Sequence, residues 1–395
     1  MPVQLLAPRL ILSGGGAVSE VASVLAGLGL SRPLIVTDPW MASSGTVDRV
    51  LAPLRAAGIA ADVFHETVPD PTDTVVEAGV QAFRAGDYDC LIGFGGGSPM
   101  DTAKAIAILA AAPEGVHIRA LKVPAQANKG AVPVVCIPTT AGTGSEATKF
   151  TVITDTANDE KMLISGLGAL PLAAIVDHHL TWTVPARTVA DTGVDSLTHA
   201  LEAFVSRRAN PMSDDYARLA MRLIAPNLRR AYADARRGGN GPRDEEAREA
   251  MMRGAMLAGM AFSNASVALV HGMSRPIGAH FHVPHGLSNA MLLPAVTRFG
   301  LESALPRYAE AARVMGVAGE GDDDATAGRK LVEELQALNR ELGVPSPAAH
   351  GIPAERWDGL LDTMAAQALA SGSPANNPRV PDASEIVALY REAYA

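Results

Sequence analysis

Short apolar runs alternate with helical patterns through the first half of the chain. The apolar runs predict strands at Leu10–Leu12, Pro33–Thr37, Ala61–Phe64, Asp89–Phe94 and Val132–Ile137. Between them, apolar residues at helical spacing predict helices at Ala17–Leu28 and Thr72–Ala85, the second capped by Thr72. Strands that alternate with helices favour an α/β domain, whose mostly parallel sheet is covered on both faces.

From about Pro185 the pattern is helical to the end of the chain. We therefore expect a boundary near Thr181–Pro185, with an α/β domain over residues 1–183 and an all-α domain over residues 184–395. The length of 395 residues agrees with two domains.

Composition and charge restrict the possible partners and compartment. A net charge of -9 argues against nucleic acid as a partner. No apolar run has the roughly 18 residues of a membrane span, and no basic segment precedes the first apolar residues, so we expect neither membrane insertion nor a signal peptide. Cys90 and Cys136 are too few for a disulfide framework and lie in apolar runs, which predicts buried reduced thiols and a cytoplasmic protein.

A glycine-rich turn follows the fourth predicted strand. Gly95, Gly96 and Gly97 allow a ligand to approach the backbone closely. Ser98 is predicted to cap the next helix, whose exposed N–H groups would attract a phosphate, and Lys104 is expected to reach the same anion. The alternative is an ordinary strand–helix turn, since the run is not Gly-x-Gly-x-x-Gly.

A second polar turn follows the fifth predicted strand. Its hydroxyl groups are suited to donate to phosphate, ribose or a nicotinamide amide, unless they only cap the turn; they belong to Thr139, Thr140, Thr143 and Ser145. Asp38 follows the second strand, where an acidic residue accepts from a ribose hydroxyl and disfavours a 2′-phosphate. Asp38 also precedes a proline, so an ordinary turn is the alternative.

Four separated residues form a candidate metal site. Asp195 and His199 are four residues apart in a helical pattern, so their side chains share one face. His271 and His285 lie in a second helical region. One carboxylate and three imidazoles are suited to Fe(II), Zn(II) or another first-row divalent ion. A helix cap and a core histidine remain the alternative for the Asp195 and His199 pair.

Together these segments closely resemble the iron-containing (group III) alcohol dehydrogenase family. The resemblance covers nearly the whole chain and is carried by Gly95–Lys104, Pro138–Glu146, Gly193–Glu202, His271–Met273 and Pro284–Gly286, the last with Asn289 and Pro294. It implies an N-terminal domain that binds NAD(P) and an all-helical C-terminal domain that holds the metal, an architecture shared with dehydroquinate synthase. It also implies a homodimer or a higher oligomer.

The resemblance assigns roles residue by residue. The implied metal ligands are Asp195, His199, His271 and His285. The implied dinucleotide contacts are Gly95, Gly96, Gly97, Ser98, Asp101, Thr139, Thr140, Thr143 and Ser145, with Asp38 near the adenosine ribose. Lys161, which follows a predicted strand at Thr151–Thr154, resembles a family lysine near the nicotinamide. It is therefore both a candidate cofactor contact and a candidate catalytic residue.

One position departs from the family pattern. Many members have a histidine four residues after the first histidine of the closing motif, where this chain has Arg275. Arginine does not act as a base near neutral pH, but its planar fork is suited to carboxylate, phosphonate or sulfonate. Arg275 therefore suggests a substrate with an acidic group, or else a structural arginine. His282 is a further candidate for proton transfer, with a surface role as the alternative.

The expected activity is hydride transfer between nicotinamide and an alcohol or aldehyde at a divalent metal. NAD and Fe2+ are the expected cofactors, with NADP and Zn2+ as alternatives. A dehydroquinate synthase-like metal-dependent lyase is one alternative function. A non-catalytic nucleotide- or metal-binding protein is the other.

Overall fold

The computed structural model describes residues 3–158, 160–239, 241 and 243–395. The chain folds into two compact units, the first over Leu6–Trp182 and the second mainly over Thr183–Ala395. The first unit is α/β and the second is helical.

The first unit is built on a six-stranded sheet in which every neighbouring pair is parallel. Its strands are β1 (Leu10–Ser13), β2 (Pro33–Val36), β3 (Asp62–Phe64), β4 (Cys90–Gly95), β5 (Val134–Pro138) and β8 (Ala173–Val176), in the order β1-β8-β5-β4-β2-β3. The prediction of a mostly parallel sheet is confirmed. The sequence reasoning missed β8, which lies between β1 and β5.

Helices cover both faces of this sheet, and successive strand residues point to opposite faces. The helices of this unit are α1 (Val21–Leu28), α2 (Pro39–Ser43), α3 (Asp48–Ala56), α4 (Asp73–Ala85) and α5 (Gly97–Ala110). Ile35 and Ile92 belong to one buried apolar cluster, while their neighbours Leu34 and Leu91 belong to the other. Burial on both faces explains why these strands are continuous apolar runs.

A two-stranded antiparallel sheet stands apart from the parallel one. It consists of β6 (Phe150–Asp155) and β7 (Glu160–Ser165). The second of these strands was not predicted.

The second unit is helical, as predicted. Its helices are α6 (Ala186–Val205), α7 (Pro211–Arg237), α8 (Glu245–Ala265), α9 (Leu269–Phe281), α10 (His285–Val314), α11 (Asp324–Glu341), α12 (Ala354–Ala370) and α13 (Ala383–Tyr394). Asn210 and Ser213 form a capping box at the start of α7, while α10 is kinked at Ala304. Among the described residues no single helix is long and apolar enough to cross a membrane, but α8 and α9, bent by 105° at their junction, pass that test as a pair.

Candidate metal centre and glycine-rich turn

Three helices of the second unit bring four potential metal ligands together. Asp195 and His199 lie on α6, His271 lies on α9, and His285 is the first residue of α10. One ligand atom from each of the four lies within 4.8 Å of the others. Asp195, His199 and His271 are buried, whereas the side chain of His285 is 43% exposed. The cluster is therefore open on one side.

The distances within the cluster agree with ligands around one ion. Asp195 Oδ1 lies 3.5 Å from His271 Nε2 and 3.8 Å from the Nε2 atoms of both His199 and His285. For a tetrahedral site with bonds of about 2.1 Å, neighbouring ligand atoms are about 3.4 Å apart. The three distances from Asp195 Oδ1 therefore need only a small contraction to suit a first-row divalent ion, and all the ligand atoms lie within 4.8 Å of one another.

The electrostatics of the cluster favour an ionised carboxylate. Burial alone would raise the pKa of Asp195, but the adjacent imidazoles of His199, His285 and His271 outweigh it and hold that pKa well below its usual range. Burial lowers the pKa of His271, whereas its hydrogen bonds to Asp195 and Glu202 raise it, and the balance is a pKa of about 8.

Glu202 supports the cluster from behind His271. Its buried carboxylate lies on α6, and its Oε2 is 2.7 Å from His271 Nδ1. The same carboxylate accepts the backbone N–H groups of Ala268 at 2.9 Å and Val270 at 2.5 Å, at the start of α9. With the proton on Nδ1, the Nε2 lone pair of His271 faces the other ligands. Glu202 therefore couples the direction of this imidazole to the docking of α9 on α6.

Asn289 supports the cluster from α10. Its Nδ2 donates to Asp195 Oδ1 at 2.7 Å and lies 3.2 Å and 3.3 Å from the Nε2 atoms of His271 and His285. This fully buried amide therefore borders three of the four candidate ligands.

Arg275 and His282, the two other candidate residues at or near the end of α9, have different surroundings. Arg275 lies one turn after His271, and its Nη1 donates to Ser373 Oγ at 3.1 Å. Burial lowers the pKa of Arg275, while the negative charge of Glu202 opposes this effect. His282 is exposed and ends α9 with a left-handed φ of 56°. Neither residue is among the clustered ligands.

The glycine-rich turn lies at the carboxyl end of β4, between the ends of β2 and β5. Gly95 has a φ of +146°, which only glycine adopts readily, and a Cβ there would lie 2.7 Å from Pro99 Cγ. A Cβ on Gly97 would lie 2.9 Å from Thr143 Cγ2. The two polar turns therefore approach each other closely, and the backbone N–H groups at the start of α5 have no side chain over them at Gly96 and Gly97.

The predicted cap of α5 is wrong. The helix begins at Gly97 with Gly96 as its N-cap and no side-chain cap, whereas Ser98 was expected to cap it. Glycine is an acceptable N-cap, and here it starts the helix two residues earlier. Ser98 is half-buried in the first turn, where its predicted contact with a dinucleotide remains a prediction.

Lys104 does not reach an anion at the turn, and that prediction is also wrong. Its side chain is fully buried, and Nζ donates to Ser145 O at 2.5 Å, Ser145 Oγ at 2.8 Å and Phe150 O at 2.9 Å, among other acceptors. Burial lowers the pKa of Lys104, and Asp101 opposes this. The ammonium group organises the segment that follows the second polar turn.

Asp101 and Ser145 belong to the same internal network. Ser145 Oγ donates to Asp101 Oδ1 at 2.7 Å, and Asp101 Oδ2 accepts the backbone N–H of Val152 at 2.9 Å. Burial raises the pKa of Asp101, while Lys104 and these hydrogen bonds oppose this. Both side chains thus hold the two turns together, and their contact with a cofactor stays a prediction.

The threonines of the second turn border the glycines. Thr139 donates its backbone N–H to Gly95 O at 2.9 Å, and its buried Oγ1 has no hydrogen-bond partner among the described residues. Thr140 Oγ1 lies 3.8 Å from the position of a Cβ on Gly96. An unused buried hydroxyl beside a helix N-terminus fits a ligand with phosphate or ribose oxygens.

Asp38 and Lys161 both have protein partners. Asp38 caps α2, because its Oδ1 accepts the N–H of Met41 at 2.9 Å. Lys161 lies on β7, and its Nζ is 2.7 Å from Asp70 Oδ1. The turn-forming alternative for Asp38 is therefore realised, although its carboxylate remains at the carboxyl end of β2.

Glu202 and Asn289 are the residues that sequence reasoning left without a role. Both occur in the segments that carried the family resemblance. Glu202 is seven residues after Asp195, a spacing that returns to the same helix face, and this was the signal for a supporting carboxylate. The partner of that carboxylate on α9 has no signal in the local sequence.

Comparison with known proteins identifies the family. A family model described as iron-containing alcohol dehydrogenase matches residues 8–178, and the model of the C-terminal part of the same family matches residues 189–394. Lactaldehyde reductase of Escherichia coli (strain K12) is 38% identical over 98% of this chain and 100% of its own. NAD-dependent methanol dehydrogenase of Bacillus methanolicus is 37% identical over 98% of both.

A solved structure gives the same result. The crystal structure of a 1,3-propanediol oxidoreductase aligns over 100% of both chains with a TM-score of 0.93 and 36% identity. Family models and relatives thus span both units and the segments that hold the metal cluster and the glycine-rich turn. The chain belongs to the iron-containing alcohol dehydrogenase family.

Proposed function

We propose that this protein is a metal-dependent, NAD-linked alcohol dehydrogenase or aldehyde reductase. The convergence of Asp195, His199, His271 and His285 on one point carries the proposal. The names of the relatives support it, since they reduce lactaldehyde or oxidise methanol with NAD. In this proposal residues 184–395 hold the metal and the substrate, and residues 1–183 hold the dinucleotide.

The four clustered side chains would hold Fe2+, with Zn2+ as the alternative. A divalent ion there would supply Lewis acidity, which lowers the pKa of an alcohol hydroxyl. With the ion bound, Glu202 would accept the Nδ1 proton of His271 and so leave Nε2 for the metal, while the Asn289 amide donates to the carboxylate of Asp195. The partial exposure of His285 leaves one side of the cluster accessible to a small substrate.

The glycine-rich turn would hold the pyrophosphate of the nicotinamide dinucleotide, which supplies the hydride acceptor. Its support is the open N-terminus of α5 at Gly96 and Gly97, together with the unpartnered hydroxyl of Thr139. We infer a preference for NAD over NADP, since a carboxylate at Asp38 repels a 2′-phosphate. In Asp38→Asn the ratio of kcat/KM for NADPH to that for NADH should rise, and an unchanged ratio would contradict this role.

Lys161 and His282 remain candidates for catalytic roles, Lys161 beside the nicotinamide and His282 in proton transfer. Each variant to alanine should change the pH profile of kcat without releasing the metal. A profile identical to that of the native protein would remove that residue from the mechanism.

The test of the proposed function is metal-dependent turnover under anaerobic conditions. Chelation should abolish NADH oxidation with a panel of small aldehydes, and Fe2+ should restore it more effectively than Zn2+. Turnover that survives complete removal of the metal would overturn the proposal.

The same assay separates the dehydrogenase from a dehydroquinate synthase-like lyase. A lyase that recycles its NAD internally leaves the NADH absorbance unchanged, whereas a dehydrogenase consumes or forms NADH in proportion to product. Membership of the alcohol dehydrogenase family favours the second outcome.

We further infer a cytoplasmic homodimer or higher homo-oligomer. Cys90 and Cys136 are both buried and unbridged, which suits a reducing compartment. The oligomeric state rests on the family resemblance, and light scattering of the purified protein tests it directly. A monomer at micromolar concentration would contradict it.

A further inference from the structure

We propose that Arg275 binds an anionic group of the substrate, so that the enzyme prefers short alcohols and aldehydes that carry a carboxylate or sulfonate. The proposal rests on the metal-dependent dehydrogenase function given above. It adds the chemical class of the substrate and assigns its selection to one side chain.

The position of Arg275 is defined by α9. It follows His271 by four residues, so both side chains leave the same face of the helix, about 6 Å apart along its axis. His271 Nε2 is directed at Asp195. Arg275, one helical turn from His271, is therefore placed to contact an anionic group of a substrate whose hydroxyl lies at the metal ligands, a few bonds away from that group.

The partners of Arg275 leave its charge available. A guanidinium has five N–H donors. In Arg275 the Nη1 atom donates a hydrogen bond to Ser373 Oγ, which carries no charge. No carboxylate of the described chain lies within ion-pair distance of it. The buried Arg248 is different, because Asp234 lies 2.9 Å from its Nε.

A half-buried cation with no carboxylate partner raises the free energy of the folded state, so stability alone does not explain this side chain. Burial disfavours the charge of Arg275, and the charge of Glu202 supports it only from a distance. Glu202 already accepts two backbone N–H groups and contacts His271. The carboxylate that would neutralise Arg275 is therefore engaged elsewhere.

The charges around the site favour an anion. A divalent ion held by the cluster would balance the negative charges of Asp195 and Glu202, and neither carboxylate would then compensate the positive charge of Arg275. A planar guanidinium binds carboxylate and sulfonate through paired, charge-assisted hydrogen bonds. The distance of about one helical turn limits the substrate to a short carbon chain.

The experiment uses matched pairs of alcohols that differ in charge but little in shape. They are 3-hydroxypropanoate with 3-hydroxypropanamide, and 2-hydroxyethanesulfonate with 2-(methylsulfonyl)ethanol. The kcat/KM ratio within each pair is measured for the metal-loaded native enzyme, for Arg275→Gln and for Arg275→Lys. Arg329→Gln on α11 is the control, since it removes one positive charge from a side chain that is 66% exposed.

The native enzyme should prefer the anionic member of each pair. Arg275→Gln should lose about 10- to 100-fold of kcat/KM for that member and less than about 3-fold for the neutral one, as expected for hydrogen bonds to a charged group. Arg275→Lys should be intermediate, because it keeps the charge and loses the fork. Arg329→Gln should leave the ratios unchanged.

Calorimetric binding of 2-hydroxyethanesulfonate to the metal-loaded protein gives a readout independent of turnover. The native protein should bind it more tightly than its neutral partner, and Arg275→Gln should lose that difference. Ratios or affinities that do not change in Arg275→Gln would overturn the proposal while leaving the dehydrogenase function intact. If Arg275→Gln binds NADH more weakly while the kcat/KM ratios within each pair stay unchanged, the proposal is also overturned, because the guanidinium would then contact a phosphate of the dinucleotide. Absence of metal-dependent turnover with every alcohol would instead overturn the proposed function, and this inference with it.

Discussion

The metal cluster and the glycine-rich turn are built by opposite means. The cluster consists of four ligand side chains from three helices. Two of these ligands are hydrogen-bonded to further side chains, His271 to Glu202 and Asp195 to Asn289. The turn consists of backbone, and its essential feature is the lack of side chains at Gly95 and Gly97. Lys104, the basic side chain nearest to it in sequence, is directed into the interior.

This difference predicts how each site fails. Removing a side chain should damage the cluster, because ligand atoms are lost or misdirected. Adding a side chain should damage the turn, because space is lost. If the two sites are independent, a change at one should alter the binding of its own ligand and leave the binding of the other ligand unchanged.

The largest effect is expected from His271→Ala. It removes a ligand atom and leaves the buried carboxylate of Glu202 without its imidazole partner. The purified variant should contain no stoichiometric metal and should show no metal-dependent turnover, while calorimetry should still detect NADH binding. His280→Ala is the control, since His280 lies on the same helix and bonds to Gln367. A variant at position 271 that keeps a full complement of metal would contradict the ligand assignment.

The next effect is expected from Glu202→Gln. Both oxygens of the Glu202 carboxylate accept hydrogen bonds, from the N–H groups of Ala268 and Val270 and from His271 Nδ1. Glutamine has only one side-chain oxygen, so its NH2 group would face at least one of these donors. Loss of this support should weaken metal binding by about 10- to 100-fold. Competition between Co2+ and a chelator measures the affinity, and 15N NMR of the Zn2+-loaded protein reports which ring nitrogen of His271 carries the proton. Glu310→Gln, a surface change, is the control, and equal affinity in both variants would remove the supporting role.

Gly97→Ala tests the turn. The added Cβ would meet Thr143 Cγ2 at 2.9 Å, so the threonine must shift over the start of α5. We expect about 10-fold weaker NADH binding, equivalent to an overpacking cost of about 1.4 kcal/mol, with unchanged metal content. Adding Thr143→Ser removes the clashing methyl group. If the double variant binds NADH normally, the clash with Thr143 is the cause of the weaker binding. If either variant loses metal, the two sites are not independent.

The smallest effect on either binding site is expected from Glu146→Gln, in the short helix Ser145–Ala147 that follows the second polar turn, because this change should alter stability rather than ligand binding. Burial raises the pKa of Glu146 from 4.5 to about 7, although Lys104 opposes this. The folded protein therefore binds a proton that the unfolded chain releases, so this contribution to stability is present below pH 4.5 and is lost as the pH rises through about 7. Glutamine should remove that dependence, on the order of 1–3 kcal/mol across the window. Chemical unfolding between about pH 4.5 and pH 8 measures it, and parallel curves for both proteins would show that Glu146 is not the group responsible.

Local patterns predicted the elements that have their own local signals. Thr72 caps α4, where its Oγ1 accepts the N–H of Val75, and the parallel sheet follows from buried apolar runs between helices. The strand β8, Ala173–Val176, escaped prediction because four small or branched apolar residues have no turn signal or periodicity of their own. Its place between β1 and β5 is a matter of long-range pairing.

Errors at the glycine-rich turn have the same origin. Ser98 is a better cap than glycine by propensity, yet α5 begins at Gly97, because helix boundaries are set by packing as well as by caps. Lys104 was expected at an anion because it lies one turn inside the helix. In the folded chain the oxygens of Ser145 and Phe150 reach it from beneath. Local patterns do not report such contacts, because the partners lie 41 and 46 positions away in the chain.

By itself, the sequence determined the type of most elements and the chemistry available at the site. The spacing of Asp195 and His199 places both on one face of a helix, and this follows from helix geometry alone. Only the tertiary structure decided that α9 and α10 deliver His271 and His285 to that face, with Glu202 and Asn289 to orient the ligands. The physical reason is that helix docking depends on burial summed over many distant contacts, whereas a helix forms its backbone hydrogen bonds within a few residues.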